Sequence, residues 1–142
     1  LPISPDGPLL DILVGVSHPR EEALKAASQP IPAPVPVRAL IDTGASCSCL
    51  DSQIITRLAL TPTGSIPGHT PSTGTTPYNF SQFDISLIIP LQSPTLIIRF
   101  ACVPIIAADL ASQGLQALIG RDILRLSLFV YDGQEGIFTI SF

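Results

Sequence analysis

The sequence predicts a mostly β domain, and three observations carry that prediction. Fifteen Pro and ten Gly in 142 residues break the chain too often for a helical bundle and suit many short strands joined by turns. The apolar residues fall in short runs bounded by Gly, Pro, Thr or Ser. Around Phe83, Ile85, Leu87 and Ile89 they recur at every second position, the period of a half-buried strand. With 46% hydrophobic and 13% charged residues the chain can bury a core, and its composition is not that of a disordered segment. The length suits one domain over residues 1–142.

Taken in order, Leu9–Val16 (LLDILVGV) reads as a strand rich in branched residues. Pro19–Gln29 then carries a short run of helix formers. Pro30, Pro32, Pro34 and Pro36 alternate and force an extended, polyproline-like path. A stiff spacer is the plain reading; a ligand for a proline-recognising groove is the rival, and nothing else in the sequence supports it. Residues 17–36 thus form a helical and Pro-rich insertion between the first two strands. The second strand, Val35–Ile41, runs directly into Asp42-Thr43-Gly44.

Asp51 or Ser52 can cap a short helix over Gln53–Leu58. Thr61–Pro77 is full of turn signals and almost free of core residues. Tyr78–Pro90 and Thr95–Pro104 read as two long strands, and Ala107–Gln113 as a helical turn. Leu115–Ile119 is an apolar strand stopped by Gly120, with a short helix over Arg121–Leu126. Leu128–Tyr131 and Ile137–Phe142 close the chain as strands around a tight hairpin turn at Asp132-Gly133. No internal repeat and no second domain are visible.

Charge and cysteine usage exclude several functions. The net charge is -4 and the seven Lys and Arg are scattered, so no basic stripe could follow a phosphate backbone; nucleic acid is not an expected partner. No apolar run is long enough for a transmembrane helix, and the N-terminus lacks the regions of a signal peptide. Cys47, Cys49 and Cys102 are an odd set. Cys47 and Cys49 stand too close for a comfortable bridge, and their spacing is not that of a zinc site. Reduced thiols suit a reducing compartment, so the expected location is cytoplasmic. Met is absent, position 1 included, which reads as a piece trimmed or processed from something longer. No metal or cofactor is expected.

Asp42 leaves an apolar strand and is followed by Thr43 and Gly44. Gly permits a tight turn and a close backbone approach. An apolar strand before a carboxylate desolvates it, and a second facing carboxylate would make the two share one proton. Such a pair can activate a water with one member and protonate a carbonyl with the other, with no metal and no covalent intermediate. The competing reading is an Asp that merely caps a turn. Three features favour chemistry. The segment Ala117-Leu118-Ile119-Gly120-Arg121-Asp122-Ile123-Leu124 fits a strand passing beside the Asp42 loop; the Gly/Thr/Ser/Pro stretch between the two motifs could cover a cleft; and the last strand has no obvious partner within the chain.

Leu40-Ile41-Asp42-Thr43-Gly44-Ala45-Ser46, combined with Leu118-Ile119-Gly120-Arg121-Asp122-Ile123-Leu124, resembles the retropepsin family of aspartic proteases. It is similar in particular to the bacterial retropepsin-like branch, as are His69-Thr70-Pro71-Ser72-Thr73-Gly74 and Gln82-Phe83-Asp84-Ile85-Ser86-Leu87. The resemblance implies a closed-barrel acid-protease fold with one or two short helices and crossed loops under the active site. It implies that Asp42 pairs with Asp42 of a second chain, while Thr43 bonds across the dimer and Gly44 presents backbone to substrate. Ala45, Ile119, Gly120 and Arg121 would support the catalytic loop. Residues 63–78 would form a flap, with Ser72, Thr73, Gly74 and Thr75 at the substrate-binding tip. An extended peptide or protein substrate would bind as an added strand. Retroviral members often carry an acidic residue where this chain has Ser46, so Arg121 needs another partner: Asp122, Asp109, a chain terminus or backbone.

A second Asp-Thr/Ser-Gly is absent, so one Asp per chain and a two-carboxylate mechanism require a homodimer. The expected function is an aspartic endopeptidase. The alternative is a catalytically weak or inactive module of the same fold that dimerises or binds peptides. His18 and His69 lie in no nucleophile-elbow context, Asp84, Asp109 and Asp132 read as surface or turn residues, and no Gly-rich loop suits phosphate. Cys47 near Asp42 could suggest a cysteine protease, but no His stands in a partner context.

Overall fold

The computed structural model describes residues 1–68, 74–75, 78–90 and 97–142. Nine strands and three short helices are described: β1 Leu9–Val16, α1 His18–Ala26, β2 Val35–Ile41, β3 Cys49–Asp51, α2 Ser52–Arg57, β4 Gly64–Gly68, β5 Tyr78–Pro90, β6 Ile97–Ala108, β7 Ala117–Ile119, α3 Arg121–Leu124, β8 Leu128–Asp132 and β9 Ile137–Ser141. A single 3-10 turn, Ala111–Gln113, joins β6 to β7.

Six strands close a barrel. The order β1-β2-β7-β3-β6-β5 returns to β1 through an antiparallel β1–β5 pairing, and β4 is added outside on β5. Closure leaves these strands without a bare row of backbone groups on the barrel wall. It depends on a close approach at Gly15, which pairs with Ser86: a Cβ there would lie 2.9 Å from Ser86 Oγ. The alternation in the sequence does fill the interior. Leu10, Ile12 and Val14 of β1 meet Val35, Val37 and Ala39 of β2 and Phe83, Ile85, Leu87 and Ile89 of β5. On β6 the inward set changes parity, from Ile98 and Phe100 to Val103 and Ile105. The register shift between Ile85 and Leu87 explains it, because β6 carries one extra residue there and the bulge turns its later side chains back to the core.

Several expectations need correction. Ala107–Gln113 is not a helical turn throughout: β6 runs on to Ala108, where it pairs with β3. β3 itself was not legible. It has three residues and lies between β6 and β7, and it buries Leu50 to 1% exposure. Burial of a Leu side chain contributes about 1.5–3 kcal/mol, so tertiary context outweighs the weak local propensity of Cys-Leu-Asp. The turn-rich stretch contains β4, which pairs with Tyr78–Gln82 of β5. The helix after Gly120 stops at Leu124. Asp132-Gly133 opens a four-residue loop rather than a tight turn, since Asp132 pairs with Ile137 and Asp132 Oδ1 accepts from Gln134 N and Glu135 N.

The last strand does have partners. β9 pairs with β8 on one side, while on the other Leu1 and Ile3 hydrogen-bond to Phe138 and Gly136. α1 has no buried residue; Ser17 caps it, and a surface ion pair between Arg99 and Glu21 ties it to β6. Of the alternating prolines, Pro30, Pro32 and Pro34 form no regular element and Pro36 lies within β2, while Pro34 packs near Gly15. Among the described residues no helix is long and apolar enough to cross a membrane.

Candidate active site

Two apolar triplets bring the two sequence motifs together. Ala39, Leu40 and Ile41 of β2 run parallel to Ala117, Leu118 and Ile119 of β7, in register. β7 also pairs with β3 on its other side, through Leu118 and Ala117. Residues 42–48 connect β2 to β3, so this loop passes around the end of the strand inserted between them. Asp42 begins the loop and is fixed at once, its N–H donating to Ile119 O at 2.9 Å.

The Asp42 side chain is half-buried. Its Oδ1 accepts from Gly44 N at 2.8 Å and from Ala45 N at 3.3 Å. Its Oδ2 has no hydrogen-bond partner among the described residues. One oxygen is therefore anchored by backbone amides and the other is available to a water or to another group. Thr43 and Gly44 are exposed at the loop tip, and a Cβ on Gly44 would stand 3.1 Å from Asp42 Oδ1.

The other motif braces the loop from below. Arg121 N donates to Ala45 O at 3.0 Å, and its guanidinium Nη1 donates to Thr43 O at 2.9 Å and Gly44 O at 3.2 Å. Among the partners left open for Arg121, backbone is the one realised. Gly120 is buried, and a Cβ there would come within 2.7 Å of the carbonyl carbon and oxygen of Cys47. Only a glycine lets β7 meet the loop so closely. Ile119, at 2% exposure, carries the carbonyl that holds Asp42.

Two contributors escaped the sequence. Asp122 Oδ2 accepts from Ser48 N at 2.9 Å, and its Oδ1 accepts from Ser48 Oγ at 2.8 Å and Ile123 N at 2.9 Å. Ser48 Oγ in turn accepts from Gly120 N at 3.0 Å. No local pattern announces a contact between residues 74 positions apart.

Cys47 lies in the same loop and Cys49 opens β3 at its end. Burial, then the neighbouring Cys47, Asp122 and Asp42, push the Cys49 thiol up to about 12. Burial and then Asp122 raise Cys47 as well. Nucleophilic cysteines need the thiolate, so this environment opposes a cysteine mechanism. Of the flap residues, Ser72 and Thr73, with His69, lie outside the described residues; Gly74 and Thr75 form an exposed turn. Among the described residues Tyr78–Ser81 pair only with β4, so the β4–β5 hairpin extends beyond the barrel wall. Among the described residues no group of three His, Cys, Asp or Glu could hold a metal ion.

No family model and no curated protein matches the chain. Solved structures do. A retropepsin-like aspartic protease from Rickettsia conorii aligns over 99% of this chain and 86% of its own, at 17% identity and a TM-score of 0.57. The EIAV protease complexed with the inhibitor HBY-793 aligns over 83% of this chain and 85% of its own, at 21% identity and a TM-score of 0.42. The retroviral protease-like domain of Ddi1 from Leishmania major aligns over 94% of this chain and 89% of its own, at 15% identity and a TM-score of 0.45. The near-complete overlap with the Rickettsia structure, together with the closed six-strand barrel, identifies the architecture: this chain has the retropepsin fold of aspartic proteases.

Proposed function

We propose that the chain is an aspartic endopeptidase whose site is completed by a second copy of itself, with Asp42 supplying one carboxylate from each subunit. The observation that carries this reading is the asymmetry of the Asp42 carboxylate. Backbone amides hold Oδ1, and among the described residues Oδ2 has no partner, on a loop whose tip is exposed. A lone carboxylate can deprotonate a water or protonate a carbonyl, but not both at once. Two facing carboxylates that share one proton do both.

In the reaction, the unprotonated carboxylate takes a proton from the water as its oxygen attacks the scissile carbonyl carbon. The protonated partner gives its proton to the carbonyl oxygen. The tetrahedral diol then collapses: the carboxylate that took the water's proton gives it to the amine nitrogen as the C–N bond breaks, and the other carboxylate takes a hydroxyl proton from the diol, which restores the shared proton. An extended peptide would lie as a strand between the Asp42 loops and the β4–β5 hairpin, which with residues 69–77 would act as the flap. Thr43, exposed at the loop tip, would bond across the two-fold axis. Its neighbours Ala45, Ile119, Gly120 and Arg121 serve as the loop's support.

The C-terminal ribbon is the face proposed for the second copy. Leu126, Leu128, Val130, Tyr131 and Ile137 lie on or beside β8 and β9 and are between 45% and 67% exposed. Large apolar side chains concentrated on one ribbon mark an interaction surface.

The test is to incubate the wild type and Asp42→Asn with a peptide library at about pH 4 to 6, with and without a transition-state analogue of aspartic proteases. Inhibitor-sensitive cleavage by the wild type alone is expected. Cleavage that persists in Asp42→Asn would reject the mechanism; no cleavage by either would favour the peptide-binding module.

A further inference from the structure

We infer that Ser48 and Asp122 are positioning residues that set the conformation of the Asp42 loop; the inference rests on the protease reading for its catalytic consequence. The Asp42–Ser48 loop is held at three places. Asp42 N is bound to Ile119 O at its start, and Arg121 binds the carbonyls of Thr43, Gly44 and Ala45 in its middle. Its far end is held at Ser48, whose N–H and hydroxyl bind the Asp122 carboxylate and whose carbonyl accepts from Ile106 N at 3.2 Å. Ser48 is buried at 3% exposure and uses every polar atom that faces the clamp: its N–H and hydroxyl proton go to the Asp122 carboxylate, and its oxygen receives Gly120 N–H.

The arrangement is directional. Gly120 N is a donor that needs an acceptor, and Ser48 Oγ supplies it while its own proton is turned away, toward Asp122. A carboxylate accepts at both oxygens, so it can take Ser48 N, Ser48 Oγ and Ile123 N together. An amide cannot. Whichever way it turned, its NH2 would face either Ser48 N–H or Ile123 N–H, one donor against another. A carboxylate at position 122 is therefore the acceptor that takes all three donors at once, while Ile123 N also reaches Gly120 O at 3.2 Å.

The clamp also fixes the one close backbone approach under the site. Ser48 follows Cys47, whose carbonyl would be struck by any Cβ on Gly120. Releasing the Ser48 side chain loosens the loop's end where it meets Gly120, although Ser48 O still accepts from Ile106 N. That loosening is passed along six residues to the oxygen of Asp42 that must meet the water. This chain has Ser46 rather than an acidic residue beside Arg121, so Asp122 is the carboxylate that secures the loop.

The experiment uses Ser48→Ala, Asp122→Asn, the double variant and Ser48→Thr, each as the full chain. Two quantities are read: amide hydrogen exchange in residues 43–49 and 120, and kcat and KM for a cleaved peptide. Loss of charge-assisted hydrogen bonds should speed exchange in that segment by about tenfold or more, with β5 and β6 unchanged. A displaced catalytic group should lower kcat by about tenfold to a hundredfold with KM nearly constant. The double variant should cost less than the sum of the singles, because both break the Ser48 Oγ–Asp122 bond, and Ser48→Thr, which keeps the hydroxyl, should retain kcat. Unchanged loop exchange in both single variants overturns the clamp. Faster loop exchange with wild-type kcat overturns the catalytic consequence. A wild type that cleaves nothing would instead defeat the protease reading, and the exchange data would still decide whether Ser48 and Asp122 hold the loop.

Discussion

The guanidinium of Arg121 donates to the carbonyl oxygen of Thr43 at 2.9 Å, and the same nitrogen reaches Gly44 O at 3.2 Å. These are the carbonyls of the two residues that follow Asp42, so a side chain on the helix after β7 governs the tip of the loop. Arg121 is exposed, and water competes for its donors. Arg121→Ala should therefore cost only about 1 kcal/mol of stability, at the low end for a hydrogen bond to a charged group. The effect on turnover should be larger, because the loop tip loses its fixed geometry. Urea denaturation and steady-state kinetics on the same preparation separate the two. Full activity in Arg121→Ala would show that the carbonyl contacts are incidental.

A shared site makes a quantitative prediction about mixing. If each subunit supplies one Asp42, a dimer of one wild-type and one Asp42→Asn chain lacks the pair and is inactive. Activity should then follow the square of the wild-type fraction in a fully exchanged mixture. Dilution of the wild type should also lower specific activity once the dimer dissociates. Titration with Asp42→Asn at constant total protein checks this. A linear dependence on the wild-type fraction would mean that each chain works alone.

The sequence made the barrel legible where local and tertiary preferences agree. Phe83, Ile85, Leu87 and Ile89 of β5 recur at every second position and are core, as are Leu10, Ile12 and Val14 of β1 and Val35, Val37 and Ala39 of β2. The two loop motifs were legible too, because an apolar triplet before Asp42 and another before Gly120 predict strands that can lie side by side, as β2 and β7 do. What escaped is what distance along the chain creates. β3 is a strand because β6 and β7 flank it, and β4 because Tyr78–Gln82 pairs with it. Neither has a periodic signature of its own. Asp122 read as the second residue of a short helix, and its grip on Ser48 depends on the ordered β7 between them. The missing acidic residue at Ser46 was visible, but Arg121's turn to backbone carbonyls was only one of several options open to a long, flexible side chain.

Asp51 offers a prediction about acid stability, which matters for a protein proposed to work in acid. It is 4% exposed, caps α2 through Gln53 N at 2.9 Å, and accepts from Leu110 N at 2.9 Å and Ala111 N at 2.7 Å. Burial alone would raise its pKa, but the three backbone donors outweigh burial and hold it below the usual 3.8. A carboxylate depressed on folding adds stability that is present above its unfolded pKa and is lost as pH falls through the lower folded value. The fold should therefore keep this anchor at pH 4 and lose it only in stronger acid. Asp51→Ala leaves three donors unmet and should cost about 2–4 kcal/mol at pH 7. That loss should shrink in strong acid, where the wild type loses the same contact. Denaturant melts of both proteins across the acid range provide the measurement, and a difference that does not shrink in strong acid would contradict the assignment.

The C-terminal ribbon can be tested without touching the site. Leu128 is 67% exposed and Val130 48% exposed on β8, whose other edge pairs with nothing among the described residues. In an isolated chain a charge at either position would meet water, so the fold should tolerate Leu128→Glu or Val130→Glu within about 0.5 kcal/mol. In a dimer that covers the ribbon the same charge would be buried without a partner, a cost of several kcal/mol. The dimer Kd should rise by about a hundredfold or more in each variant. Cleavage should then disappear in dilute solution and return as protein is concentrated, because Asp42 and its loop are intact. Sedimentation equilibrium with matched activity assays reads both effects. Variants that dimerise as the wild type does would remove the ribbon from the interface while leaving the two-carboxylate mechanism standing, so the second copy would have to approach from the Asp42 loop by another face.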